Sequence, residues 1–167
     1  ATMGNSCDSD SNINDFIVRT AADPQNTSDT ESPEMSGDNP VVINEVYYNN
    51  TSSDHQWIEL YNNATGTENI SGGKILAAGK TYTIPALTEI TAGGYLVVHW
   101  NVAGTNNATN LYTGTTDWAA MPTLAGDVYL RDDVNAAEDY VEYGAGGQTN
   151  ESTAGGGEWP AGDYVPG

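Results

Sequence analysis

Residues 41–62 constrain the fold more than any other stretch. They read VVINEVYYNN, then TSSDHQ, then WIELYN, so two runs of β-branched and aromatic residues flank a six-residue polar loop. Val41, Ile43 and Glu45 share one side of an extended chain, and Val42, Asn44 and Val46 the other. In the second run Ile58 and Leu60 fall on one side, with Trp57, Glu59 and Tyr61 opposite. A helix would scatter these residues around its axis. Alternation at a period of two, broken by a polar loop, predicts a β-hairpin.

The rest of the chain repeats this pattern. Residues 69–77, reached through Ile70-Ser71-Gly72-Gly73, predict a strand, and 81–84 a short one closed by Pro85. Residues 94–100 (GYLVVHW) are the most apolar run and predict a central strand, followed by a long Asn/Thr/Gly loop over 101–116. Residues 127–131 and 139–143 predict a second hairpin turning through Asp132-Asp133-Val134-Asn135. The Gly-rich stretch 144–157 reads as irregular, and 159–167 as a turn-rich end with Trp159, Tyr164 and Val165 as apolar anchors. No window predicts a helix. Short strands separated by turn signals imply an all-β sandwich rather than a parallel sheet. A domain of roughly 125 residues buries about two-thirds of its unfolded surface, so it needs no covalent staple. The single cysteine, Cys7, cannot form a disulfide within the chain. A buried thiol is its expected state, with an intermolecular bridge as the alternative.

Charge narrows the partners. Four Lys and Arg against twenty-three Asp and Glu leave a net charge of −19. Such a chain repels nucleic acid and anionic membranes and attracts divalent cations, although solubility alone is sufficient reason for it. No apolar run is long enough to cross a bilayer. The sequence starts at Ala1 with neither an initiator Met nor a secretion signal, as expected of a mature, processed protein or an excised fragment. Six Asn-X-Ser/Thr sequons, at Asn26, Asn50, Asn63, Asn69, Asn107 and Asn150, are candidate N-glycosylation sites, and four of them (Asn50, Asn63, Asn69, Asn107) fall in predicted loops. The expected location is extracellular or at the cell surface.

In order and spacing, several of these pieces resemble one known family. Ile43-Asn44-Glu45-Val46, a polar loop, then Trp57-Ile58-Glu59-Leu60-Tyr61-Asn62 is similar to the opening of a lamin-tail domain. Ile70-Ser71-Gly72 with Ile75-Leu76 resembles the family's leucine-serine-glycine-tryptophan strand, with Lys74 in place of the aromatic residue. Thr81–Pro85 and Ile90–Val98 resemble its next two strands, and Leu124–Asp132 with Asp139–Gly144 its last hairpin. The resemblance covers residues 41–144. It implies an immunoglobulin-like β-sandwich, generally attached in bacteria and archaea to secreted or cell-surface proteins.

Residues 1–40 differ from everything after them. They are rich in Asp, Ser, Asn and Thr, a composition typical of disordered tails, yet Asp15-Phe16-Ile17-Val18-Arg19 has strand character. Asp8–Phe16, followed by Pro24 and Asn26, resembles the far C-terminal end of bacterial lamin-tail domains, and 159–167 resembles what normally precedes it. The chain therefore reads as circularly permuted, with a 41–167 sandwich behind a 1–40 arm that carries a donor-type strand near 13–20. Such an arm closes its own sandwich, completes the preceding copy in a tandem chain, or completes a neighbouring subunit by donor-strand complementation. Residues 26–40 are long, polar and free of apolar anchors, which favours a neighbour. Short-range closure is entropically easier and favours the chain itself. A head-to-tail contact between copies propagates into a filament unless it closes into a ring. Ile13, Phe16, Ile17 and Val18 are the candidate assembly strand.

Other constellations are weighed for chemistry. Asp8, Asp10, Asn12, Asn14 and Asp15 place oxygen ligands as calcium loops do, but without the central Gly or twelfth-position Glu of an EF-hand. Ca²⁺ is the one cofactor the pattern admits, against a plain polar turn. Asp132, Asp133, Asn135, Glu138 and Asp139 form a second acidic cluster, which a hairpin turn explains. Glu45 and Glu59 have the types of a glycosidase acid–base pair, but both sit on predicted sandwich strands, so a structural role is expected. His55 and His99 lack metal spacing to each other or to Cys7. Trp57, Trp100, Trp118 and Trp159 are candidate sugar-stacking rings, against core or loop anchors. No nucleophile elbow, P-loop or dinucleotide fingerprint is present, and an enzyme is the least expected class. The primary expectation is an extracellular structural protein that polymerises with copies of itself. The alternative is a calcium- or carbohydrate-binding module of a larger secreted protein.

Overall fold

The computed structural model describes residues 40–48, 55–115, 119–146, 148 and 165. Among these residues ten strands follow one another: β1 (Val41–Tyr47), β2 (Trp57–Asn62), β3 (Glu68–Asn69), β4 (Lys74–Ala77), β5 (Lys80–Thr83), β6 (Glu89–Ile90), β7 (Tyr95–His99), β8 (Asn110–Tyr112), β9 (Gly126–Arg131) and β10 (Ala137–Tyr143). They form a first sheet in the order β1-β2-β7-β8, a second in the order β10-β9-β4-β5, and a small ribbon β3-β6. Among the described residues there is no helix, and the architecture is an all-β, immunoglobulin-like sandwich.

The core lies between the sheets. Ile58, Leu60, Leu96 and Val98 from the first meet Ile75, Ala77, Val128 and Leu130 from the second. Each sits at alternate positions of its strand, which is why one face of each sheet is apolar. Burying each large aliphatic chain stabilises by about 1.5–3 kcal/mol. Trp100 and Met121 join the same core, and the Trp100 indole N–H donates to Ala119 O at 2.9 Å. As predicted, residues 94–100 supply a central strand, since β7 lies between β2 and β8.

Four local expectations are corrected. The opening hairpin is antiparallel, but its register shifts between Ile43 and Glu45, so that Ile43 faces Leu60 and Glu45 faces Glu59. Asn44 is the extra residue of a β-bulge. The simple alternation holds only to Ile43. Beyond it, Glu45 lies on the outer face, and Val46 turns inward and packs against the core. Unbroken alternation would put a carboxylate inside and a valine outside.

The predicted strand over 69–77 is two strands. A turn closed by Gly73 N–H donating to Ile70 O at 3.1 Å, with Gly72 at φ 82°, sends β3 to β6 and β4 to β9. The predicted loop over 101–116 contains β8, parallel to β7, a strand too short to show a period. The segments around residues 77 and 81 form one tight hairpin, β4–β5, through Ala78 and Gly79, both with positive φ (51° and 69°). At the C-terminal end, Val165 pairs in parallel with Tyr143. It is held through its backbone, since the side chain, expected to be an apolar anchor, is 52% exposed.

Candidate functional site

The arm strand Ile13, Phe16, Ile17 and Val18, the calcium pattern Asp8, Asp10, Asn12, Asn14 and Asp15, and Cys7 lie outside the described residues. So do Asn26, Asn50, Asn150, Trp118, Trp159 and Tyr164. The remaining candidates have positions. Asp132 Oδ1 accepts from the backbone N–H of Val134 (3.0 Å) and Ala136 (2.7 Å), a self-capping turn. Asn135 Oδ1 accepts from Lys74 Nζ at 2.7 Å. Asp139 leaves this group altogether and is buried against β1. Among the described residues no three His, Cys, Asp or Glu side chains gather as a metal site requires.

Asn63, Asn69 and Asn107 are all exposed. Asn107 Oδ1 accepts from Thr109 N–H (3.0 Å) and Thr109 Oγ1 (3.3 Å), and Asn69 Oδ1 from Ser71 N–H (3.0 Å), so two sequons form compact Asx turns. His55 is exposed, whereas His99 stacks on Tyr112 (4.5 Å, 10°) and bonds Asn110 Oδ1 at 2.8 Å through Nε2. Trp100 is a core residue and Trp57 lies on the outer face of the first sheet.

Two surface features have the geometry of interaction sites. The first is an edge. A sandwich has four outer strands, here β1, β8, β10 and β5, each with backbone groups turned away from its sheet. On β1 the bulge interrupts the ladder, and Ile43 N–H donates to Asp139 Oδ2 at 2.6 Å. On β8 the N–H groups of Asn110 and Tyr112 donate to the side chains of Asn107 and Asn106, both at 2.9 Å. On β10, Val165 N–H donates to Glu142 O (2.8 Å) and Gly144 N–H to Val165 O (2.9 Å).

β5 differs from these three. The two-residue turn makes Ala77 and Lys80 a hydrogen-bonded pair, so Thr81 and Thr83 direct their N–H and C=O groups outward. Among the described residues neither has a hydrogen-bond partner on that side, and both side chains are exposed.

The second feature is the outer face of the first sheet. Tyr47 (β1), Trp57 (β2), His99 (β7) and Tyr112 (β8) are direct cross-strand neighbours in one row. Tyr47 and Trp57 stack at 5.7 Å and 20°. Farther along the strands Tyr61 and Tyr95 pair at 4.8 Å and 37°, Tyr95 being 49% exposed. Between the rows lie Asn44, Glu45 and Glu59, with Asn44 Nδ2 donating to Glu59 Oε1 at 2.8 Å.

The outer face of the second sheet is closed instead. Tyr129 and Tyr140 are buried there in an edge-to-face pair at 5.9 Å, with the Arg131 guanidinium 4.3 Å over Tyr129. The Tyr140 hydroxyl lies 3.0 Å from Glu142 Oε2 and 3.3 Å from Asp127 Oδ2. Burial, then the charges of these two carboxylates and their hydrogen bonds, push this hydroxyl well above its usual value. Gln148 N–H donates to Glu142 Oε1 at 3.1 Å, over a carboxylate with no exposed surface.

Residues 34–145, more than half of the chain, match the family model described as Lamin Tail Domain. The chain belongs to the lamin-tail-domain family. No curated protein matches it. The matched lamin-tail segment ends just past β10 and does not reach residues 1–33, which contain the proposed assembly strand.

The polar residues inside this lamin-tail domain are what pattern reading missed. Asn62 has no exposed surface; its Nδ2 donates to Gly66 O and Ile90 O, both at 2.8 Å, and its Oδ1 accepts from Ala64 N–H. Gln56 bonds Tyr48 O (2.6 Å) and both backbone groups of Met121 (2.7 and 2.6 Å). A signal existed: both share the parity of Ile58 and Leu60, so each was due to point inward.

Proposed function

We propose that this lamin-tail domain is an extracellular structural subunit, joined head-to-tail to copies of itself, with no catalysis. The N-terminal arm of one copy adds as a strand to the sandwich of the next, with Ile13, Phe16, Ile17 and Val18 as its apolar positions. The observation that supports this reading best is the inequality of the edges. Each of three outer strands has at least one outward group occupied by a side chain or by Val165, while among the described residues no partner meets the outward groups of Thr81 and Thr83 on β5. An edge left open is a template for strand addition, in which main-chain hydrogen bonds give affinity and alternate side chains give selectivity. The match to the family starts at residue 34, after the proposed assembly strand. Because donor and acceptor are different surfaces, the contact repeats along a filament unless it closes into a ring. Cations have no necessary part in this reading; Ca²⁺ at Asp8–Asp15 would order the arm.

The test uses proline at the acceptor. Thr81 N–H and Thr83 N–H serve no bond inside the sheet, so a T81P/T83P double variant leaves the β4–β5 ladder intact while removing the outward donors. The expected result is loss of sedimenting polymer with an unchanged far-UV spectrum, and the same loss when residues 1–20 are deleted. Polymer that persists in either variant overturns the proposal, as does a wild-type chain that is monomeric at every concentration.

A further inference from the structure

We infer that the outer face of the first sheet binds a neutral polysaccharide. The argument starts from the bulge at Asn44. By adding one residue opposite Glu59, it brings both Asn44 and Glu45 to the outer face beside Glu59. Glu45 and Glu59 are then direct cross-strand neighbours of like charge, an arrangement that costs stability in an isolated sheet. It is relieved by a ligand that inserts hydroxyl donors between them. Both carboxylates are acceptors only, and Asn44 Nδ2 already holds one Glu59 oxygen in place.

Rings flank this polar row on both sides. The row Tyr47-Trp57-His99-Tyr112 crosses all four strands, about 14 Å at the usual strand spacing. Tyr61 and Tyr95 lie four residues away along the strands, about 13 Å. Ring, hydrogen-bonding row, ring is the alternation a sugar chain offers in reverse, with C–H faces and hydroxyls interleaved. Rings that combine an apolar body with a polar tip suit such a boundary.

Charge then selects among occupants. Of the four Lys and Arg of the sequence, Lys74, Lys80 and Arg131 belong to the second sheet, so among the described residues no Lys or Arg lies on this face. With two carboxylates on a chain of net charge −19, the face repels nucleic acid, anionic lipid, acidic glycans and the same face of another copy. A neutral polyol meets no such barrier. The inference is independent of the edge of β5, which belongs to the other sheet.

The test is retention of the full chain on beads carrying a neutral β-glucan, a mannan or a xylan, beside beads carrying alginate or polylysine. Expected is retention on at least one neutral polymer, undiminished by about 0.5 M salt, because no ion pair is involved. W57A should weaken retention at least tenfold. Y95A, at an exposed position, should weaken it severalfold while leaving the thermal midpoint unchanged, and E59Q should weaken it severalfold while the midpoint holds or rises, since it removes the like-charge pair. No retention on any of the three neutral polymers overturns the inference. So does retention on polylysine alone that salt abolishes, which would identify a cationic protein partner. Retention unaffected by all three variants also overturns it.

Discussion

Asp139 shows how one side chain ties the two sheets together. Its Oδ2 accepts from Ile43 N–H at 2.6 Å and its Oδ1 from Tyr140 N–H at 2.7 Å, so a carboxylate on β10 satisfies the edge of β1. An unpaired buried amide is costly, and a bond to a charged acceptor is stronger than a neutral one. D139A is therefore expected to destabilise by about 2–3 kcal/mol, and D139N by roughly half that, since the amide keeps one acceptor oxygen. Urea unfolding of the two variants checks this, and equal losses would show that charge rather than acceptor geometry matters. At this scale the sequence was only partly readable. Ile58 and Leu60 announce themselves by period, but Asp139 in DYVEY looks like one more member of an acidic turn. Only the register of β10 on β9, which opposes Asp139 to the buried Leu130, sends it inward.

Elements were more legible than residues wherever a strand was long enough to show its period. β1 as far as Ile43, β2, β7, β9 and β10 follow from the alternation of their apolar residues, which runs long enough there to leave a clear pattern. β8, three residues long and parallel, leaves none. It exists because Asn106 and Asn107 replace a neighbouring strand with side-chain acceptors. The β4–β5 turn was hidden for a different reason. A two-residue turn with both φ positive favours Asn-Gly, and this chain has Ala78 before Gly79. An alanine held at φ 51° is strained, and Asn tolerates that region better. A78N is expected to stabilise by about 0.5–1 kcal/mol. A rise of a few degrees in the thermal midpoint is the readout, and a fall would mean that the turn relaxes out of the left-handed region.

At the scale of the whole molecule, the sandwich, its class and its family were legible. The two interaction surfaces were not, because both depend on which strands become neighbours. Trp57 and His99 are 42 positions apart in sequence and adjacent only through the pairing of β2 with β7. The same closure gives the fold an alkaline limit. Tyr140 and Tyr143 are both buried, and burial followed by the charge of Asp127 raises both hydroxyls above the ordinary 10.0. The folded chain thus keeps protons that the unfolded chain releases. Stability from these groups is complete below about pH 10 and is lost as pH rises toward the folded values. Urea midpoints should be level between about pH 8 and 9.5 and fall above about pH 10.5, with phenolate absorbance from these two residues developing together with unfolding. A midpoint that stays level above that range would contradict the assignment.

The one-residue insertion at Asn44 has a wider consequence. Inside and outside of β1 run on a single phase, set where Asn44 interrupts it. Shortening the strand by that residue would exchange Glu45 and Val46 between solvent and core in one step, and would slide Tyr47 off Trp57. Whatever the exposed face recognises is therefore mechanically geared to the packing beneath it. Variation on this face is confined to substitutions, because a change in strand length would unseat both layers at once.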